Sequence, residues 1–294
     1  MRRLLALVAA FMLLAAPALA QTGSQEIEIV DINGSRYPDG GQTQMVINFK
    51  NFADEPDPAT LQVTANGQAV SDLEVESVGN SAVSVGVVLA IDASGSMAGT
   101  PIDEAKAAAK SFVEQARPED RIAVIAFADE VKVLAGFTNN KESLNNVIDG
   151  IAAAGETSFN DAVIEGVQMF EQPAADSLLG NMIILTDGDD TVSQASLDDA
   201  LSTVGSGDVR VFGVALEGSD FNPDPVQQVA DAGGGLFLST PDPESLSSLY
   251  GAIGREINNT LVARFVSPVS TPGDVEFAVT YEGLTSSQTF GVSG

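Results

Sequence analysis

The 294-residue chain contains no cysteine, no histidine and no tryptophan, and only 13 Lys and Arg stand against 41 Asp and Glu, a formal charge of −28. Each absence removes a class of function. Without His or Cys there is no Ser-His-Asp or Cys-His catalytic group, no Cys/His zinc site, no thiolate iron-sulfur cluster and no His-ligated haem. Without clustered Lys and Arg the main attraction for a phosphate backbone is missing, so nucleic acid is not an expected partner. Without Cys no disulfide supports the fold, and stability must come from an apolar core, for which the chain is long enough. What remains is the chemistry of oxygen: carboxylates, hydroxyls and the hard cations they hold.

Residues 1–20 read as a secretory leader. Arg2 and Arg3 open it, an apolar run extends from Leu4 to Ala16, and Ala18-Leu19-Ala20 has the small-x-small pattern of a cleavage site. The run is shorter than the ~20 residues that cross a bilayer, and no later segment reaches that length, so no membrane span is expected after cleavage. The expected location is the periplasm or cell envelope, or the medium. An acidic, lysine-poor surface suits saline surroundings, because salt screens its self-repulsion.

The texture of the chain changes twice. Residues 21–82 show short alternating runs, such as Met45, Ile47 and Phe49, broken by Asp39-Gly40-Gly41 and Pro56-Asp57-Pro58. Asn66-Gly67 predicts a two-residue hairpin turn joining the run at Leu61 and Val63 to the run at Leu73 and Val75. Residues 83–258 alternate continuous apolar runs with helical periodicity, the signature of a parallel sheet with helices on both faces. The runs are Val85 to Ile91, Ile122 to Phe127, Val131 to Ala135, Met182 to Leu185, Val209 to Leu216 and Leu236 to Leu238. The first helix is expected to take Thr100 as N-cap with Pro101 at N1, and the last to start at Asp242-Pro243. In residues 259–294 the period returns to two, with Val275, Phe277, Val279 and Tyr281 in strict alternation. These last strands are too few to bury a face alone. They are expected to pair with the strands of 21–82, making the α/β domain an insertion in a small antiparallel β-sandwich.

Asp92-Ala93-Ser94-Gly95-Ser96 follows the first strand of the α/β stretch, at the carboxyl edge where open α/β sheets collect their ligands. The strand Met182 to Leu185 delivers Thr186-Asp187-Gly188 to the same edge, and Gly155-Glu156-Thr157-Ser158 lies in a loop just before a helix. Two carboxylates and three hydroxyls there suit a small hard cation such as Mg2+. Asp92, Ser94, Ser96, Thr157 and Asp187 are the candidate ligands: the three hydroxyls on the ion or its waters, the carboxylates direct or through water. Neutral hydroxyls leave the ion electrophilic, able to take a carboxylate from another molecule.

Asp92-Ala93-Ser94-Gly95-Ser96-Met97, the loop at Thr157 and Thr186-Asp187-Gly188 resemble the metal-ion-dependent adhesion site of von Willebrand factor type A domains, over about residues 83 to 258. The flanking β segments are similar in texture to those around such domains in secreted and envelope-associated bacterial proteins. The resemblance implies a Rossmann-like sheet, a divalent ion (Mg2+, with Mn2+ or Ca2+ as substitutes) and a protein partner that offers a Glu or Asp side chain. It implies no catalysis.

Other assignments for these residues are weaker. Ser158 could replace Thr157. Asp161, one turn into the next helix, reads as an N-terminal-turn charge rather than a ligand. The acidic run Asp187, Asp189 and Asp190 lacks the glycine and final glutamate of an EF-hand loop. An aspartyl-phosphate hydrolase needs a second acid where Ser94 stands, and neither a Walker loop nor a serine elbow is present. The alternatives to a docking protein are an envelope scaffold with a purely structural metal and, behind it, a metal-dependent hydrolase.

Overall fold

The computed structural model describes residues 25–33, 42–50, 52, 55–175, 178–218, 222–269 and 273–292; the leader at 1–20 and the turn at Asp39-Gly40-Gly41 lie outside them. The centre of the fold is a six-stranded sheet. Its strands are β6 (Val85–Asp92), β7 (Arg121–Phe127), β8 (Val131–Thr138), β9 (Leu179–Thr186), β10 (Val209–Leu216) and β11 (Phe237–Thr240), in the order β11-β10-β9-β6-β7-β8. All neighbours run parallel except β7 and β8. Six helices cover it: α1 (Thr100–Gln115), α2 (Lys141–Asp149), α3 (Phe159–Gln168), α4 (Leu197–Ser206), α5 (Asp224–Ala232) and α6 (Leu246–Asn258).

Continuous apolar runs are what a doubly covered sheet requires, because alternate side chains enter opposite cores. In β6, Val85, Val87, Leu89 and Ile91 pack with α1, α2 and α6, while Val88 and Ala90 pack with α3, α4 and α5. Every residue of β6 and β10 is buried. The run Val131 to Ala135 breaks the expected pattern: β8 is an antiparallel edge strand, and Val133 is 48% exposed. Three residues separate β7 from β8, enough for a hairpin and too few for a parallel crossover. Helix α1 also begins one residue earlier than expected. Gly99 is its N-cap, at φ +85, and no side chain caps it. Glycine adopts that angle without steric cost, so the helix starts there rather than at Thr100.

The remaining strands form two antiparallel sheets. One has the order β1-β2-β12-β5, from β1 (Glu26–Asn33), β2 (Gln42–Lys50), β12 (Leu261–Val266) and β5 (Ser71–Ser77); the other has the order β14-β13-β3-β4, from β14 (Leu284–Val292), β13 (Gly273–Tyr281), β3 (Gln62–Ala65) and β4 (Gln68–Ala69). Each contains strands from both sides of the central domain: Leu261 stands opposite Ile47, and Val279 opposite Val63. The two sheets share one core, in which Met45, Ile47 and Phe49 meet Val275, Phe277 and Val279, with Phe49 edge-on to Tyr281 at 4.9 Å. Asn66 and Gly67 both take positive φ, as a tight hairpin demands, but the turn joins β3 to β4. Leu73 and Val75, expected as its second arm, lie in β5 of the opposite sheet.

Both crossings between the sandwich and the central domain are pinned at the amino edge of the central sheet. On the way in, the Arg117 guanidinium donates to the carbonyls of Val78 and Val83 and pairs with Asp120 at 2.7 Å. On the way out, buried Arg210 of β10 donates to Glu256 Oε1 of α6 at 3.3 Å and to Thr260 Oγ1 at 3.2 Å, and Thr260 donates to Asn48 Oδ1 of β2 at 3.0 Å. The opposite, carboxyl edge is left free for loops.

Candidate metal centre

Three loops at the carboxyl edge are stitched together by their backbones. Gly95 N–H donates to Gly155 O at 2.9 Å and Ala154 N–H to Ala93 O at 2.8 Å, joining the loop after β6 to the loop before α3. Thr191 and Val192 N–H both donate to Thr157 O, and Thr157 N–H donates to Thr191 Oγ1 at 2.9 Å, joining that loop to the one after β9. Gly155 sits at φ +90 against Asp129; a Cβ there would stand 2.6 Å from Asp129 Oδ2. Glycine is needed on both counts.

Onto this frame the structure brings four of the five candidate side chains in one hydrogen-bonded chain. Asp92 Oδ1 accepts from Ser94 N–H at 2.7 Å. Ser96 Oγ donates to Asp187 Oδ1 at 2.7 Å and lies 3.0 Å from Ser94 Oγ. A hydroxyl has one proton to give, so Ser96 spends its own on Asp187, and the Ser94 proton fills the Ser94–Ser96 contact. Lone pairs remain on both hydroxyls. The fifth candidate, Thr157, is 5% exposed, and its Oγ1 has no hydrogen-bond partner among the described residues. It faces the same edge: a Cβ on Gly188 would lie 3.9 Å from it. Ser158 Oγ, its rival, is sealed from solvent and unpartnered.

The electrostatics of the pair of carboxylates are unbalanced. Asp92 is fully buried, and burial pushes its carboxyl up to about 6, against the hydrogen bonds from Thr186 and Ser94 that stabilise the anion. The Asp187 charge adds to the rise. Burial also raises Asp187, against the bond from Ser96. Among the described residues neither takes part in an ion pair. No group of three or more His, Cys, Asp or Glu forms a cage among the described residues either. The donor set is instead two carboxylates and three hydroxyls, all oxygen, lacking only positive charge. It suits a small hard cation that keeps several waters.

Several participants carry roles that spacing alone did not assign. Thr186 donates its hydroxyl to Asp92 Oδ2 at 2.6 Å, holding the buried carboxylate from the neighbouring strand. Asp129 Oδ1 accepts from Glu156 N–H at 2.9 Å, fixing the loop that carries Thr157. Asp161, in the first turn of α3, accepts from Gln194 and Ala195 N–H at 3.0 and 2.9 Å and so anchors the loop after β9.

Comparison with known proteins agrees with this architecture. The family model of the von Willebrand factor type A domain matches residues 86–252, more than half of the chain. Inter-alpha-trypsin inhibitor heavy chain H4 of Bos taurus is 32% identical over 120 residues, which cover 37% of this chain and 13% of that protein. The match thus spans about an eighth of the curated relative's length. Among solved structures, a von Willebrand factor type A protein from Catenulispora acidiphila superposes with a TM-score of 0.56 at 14% identity, covering 86% of this chain and 68% of that one. Proximal thread matrix protein 1 from the mussel byssus, in a form with a zinc-occupied MIDAS motif, gives 0.54 at 18% identity, covering 66% and 49%. At such identities the likeness is one of fold.

Proposed function

Since the chain belongs to the von Willebrand factor type A domain family, we propose that it is an exported binding protein that docks a protein partner through a divalent cation at the carboxyl edge of its central sheet. Asp92, Ser94, Ser96, Thr157 and Asp187 would hold the ion, Mg2+ by the hardness of the donors, with Mn2+ or Ca2+ as substitutes. When bound, the cation supplies a Lewis-acidic position for a Glu or Asp carboxylate of the partner.

The observation that carries this reading is the hydrogen-bonded series from Ser94 through Ser96 to Asp187, beside the unpartnered hydroxyl of Thr157. In it, Thr186 and the Ser94 amide orient Asp92, Ser96 orients Asp187, and the backbone ties among the loops hold Thr157 in place. With two negative charges against a divalent ion, and neutral oxygens otherwise, the ion keeps its affinity for one more anionic ligand. The carboxylates and serine hydroxyls of the set are engaged with one another and with the loop backbone, which favours a role in holding the ion, binding without turnover. The leader-like composition of residues 1–20 supports export to the envelope or medium.

The test is a pull-down with the full chain from the producing cell's envelope and medium, run in parallel with Mg2+ and with EDTA. Proteins retained with Mg2+ and lost with EDTA, and lost again with Ser96→Ala, are expected. Retention that ignores chelation would reduce any metal here to a structural part and remove the docking role.

A further inference from the structure

The charge of the loops around the candidate site is of one sign, with exposed Lys132, the second residue of β8, standing just outside them. The described loops at the carboxyl edge, residues 93–99, 128–130, 150–158, 187–196, 217–218 and 241–242, contain eight Asp and Glu and no Lys or Arg. Two of the eight are Asp92's neighbour across the site, Asp187, and the half-buried Asp190, which is occupied by Asn160 N–H and Ser193. Asp129, Glu130, Glu156, Asp189, Glu217 and Asp242 are exposed and form the rim. Arg117, Arg121 and Arg210 lie at the opposite, amino edge, at the ends of strands of 7 or 8 residues, where the sandwich attaches. At ~3.3 Å per residue that is about 25 Å away, beyond several Debye lengths of salt water.

A rim of six acids beside one lysine does two things. It concentrates divalent cations at the edge, and it repels an anionic surface brought up to the site. A carboxylate approaching the ion therefore meets a favourable centre inside an unfavourable ring. The ring stops being a penalty only when the groups beside that carboxylate are cationic. Within the ring, Val192 is the exposed large apolar side chain among the described residues; it is 41% exposed and is placed against Thr157 by its own N–H bond to Thr157 O at 3.2 Å.

We infer that the partner presents its ion-binding Glu or Asp within a basic segment, Lys or Arg on both sides of it facing the acidic rim, with an apolar side chain against Val192. The inference rests on the cation-bridging role of the site and adds the charge of the surface that fits it. Complementarity of this kind acts most on encounter rate and on rejection of wrong partners, and it weakens with salt.

The test uses the full chain and three synthetic peptides of equal length: one Glu flanked by lysines, the same peptide with Gln in place of Glu, and one Glu flanked by serines. Binding is read by fluorescence anisotropy in Mg2+ and in EDTA, at low and at high NaCl. The lysine-flanked Glu peptide is expected to bind at least about tenfold tighter than the serine-flanked one at low salt, with the gap closing as salt rises. Its binding should fall with EDTA and with the Gln peptide. The variant Glu130→Gln, Glu156→Gln, Asp189→Asn should lose the preference for lysine flanks while keeping its thermal response to Mg2+. Equal, Mg2+-dependent binding of the two Glu peptides would overturn the basic-segment inference and leave the cation bridge intact. Binding of the lysine-flanked peptide that is absent, or indifferent to EDTA and to Gln, would overturn both.

Discussion

Thr186 and Asp92 sit at the ends of adjacent parallel strands, and the threonine hydroxyl donates to the buried carboxylate at 2.6 Å. That bond and the Ser94 amide satisfy one oxygen each of a side chain with no exposed surface. Thr186→Val keeps the branched shape and removes the donor. It is expected to cost about 1–3 kcal/mol, the penalty of a buried polar group left unpaired. Urea unfolding measures it; a cost below a few tenths would mean that the carboxylate does not depend on this hydroxyl.

Cation binding to the folded chain should appear as stabilisation by mass action. With Mg2+ at about 100 times its Kd the gain is about 2.7 kcal/mol, read as a rise in Tm that EDTA reverses. Asp92→Asn and Ser96→Ala should each remove most of that rise. Equal rises in wild type and both variants would take the ion away from these side chains.

The Arg210–Glu256 pair tests the junction rather than the site. Both side chains are almost wholly buried. Burial lowers the Arg210 pKa and raises that of Glu256, each opposed by the charge of the other. Arg210→Met strands the carboxylate and is expected to cost about 3–5 kcal/mol. Glu256 then titrates still further above its unfolded value, so the folded variant holds a proton that the unfolded chain releases. Its stability should therefore fall as pH rises from the ordinary carboxylate range upward, and recover toward acid. Urea midpoints of variant and wild type at about pH 5 and pH 8 should differ less at pH 5; a gap independent of pH would contradict the assignment.

Gly155→Ala addresses the frame of the site. The substitution meets a φ of +90 and places a methyl group 2.6 Å from Asp129 Oδ2. A non-glycine residue at such an angle costs on the order of 1–2 kcal/mol, before the contact is counted. Because Thr157 is two residues on, the Mg2+-induced rise in Tm should shrink as well. A double variant with Asp129→Ala should relieve the contact but not the backbone strain, recovering part of the loss; full recovery would make the contact the whole effect.

How much of this was legible beforehand depended on range. The apolar run of β6 announced a strand buried on both faces, and Asp92, Ser94, Ser96 and Asp187 could be placed because each follows such a run. The fold class, a mostly parallel sheet with helices on both faces beside antiparallel sheets, was legible for the same reason. The direction of β8 was not read from its own residues, since an apolar run carries no direction; the three-residue connection to β7 did carry it. Leu73 and Val75 were assigned to the nearest partner when their true partner, β12, lies almost 190 residues away. The hydroxyl of Thr186 looked like any strand-end threonine, and the seating of Gly155 against Asp129 is a meeting of two loops that no local spacing encodes.

The sandwich is woven from the two ends of the chain, β2 against β12 and β3 against β13. A chain cut short before Leu261 lacks β12, β13 and β14, the strands against which Met45, Ile47 and Phe49 pack. The central domain draws all its strands from one continuous stretch and can close first, bringing Ser77 and Leu261, directly paired in the finished sheet, to within reach of each other. The folded middle thus acts as a clasp that shortens a loop of more than 180 residues for the sandwich to close.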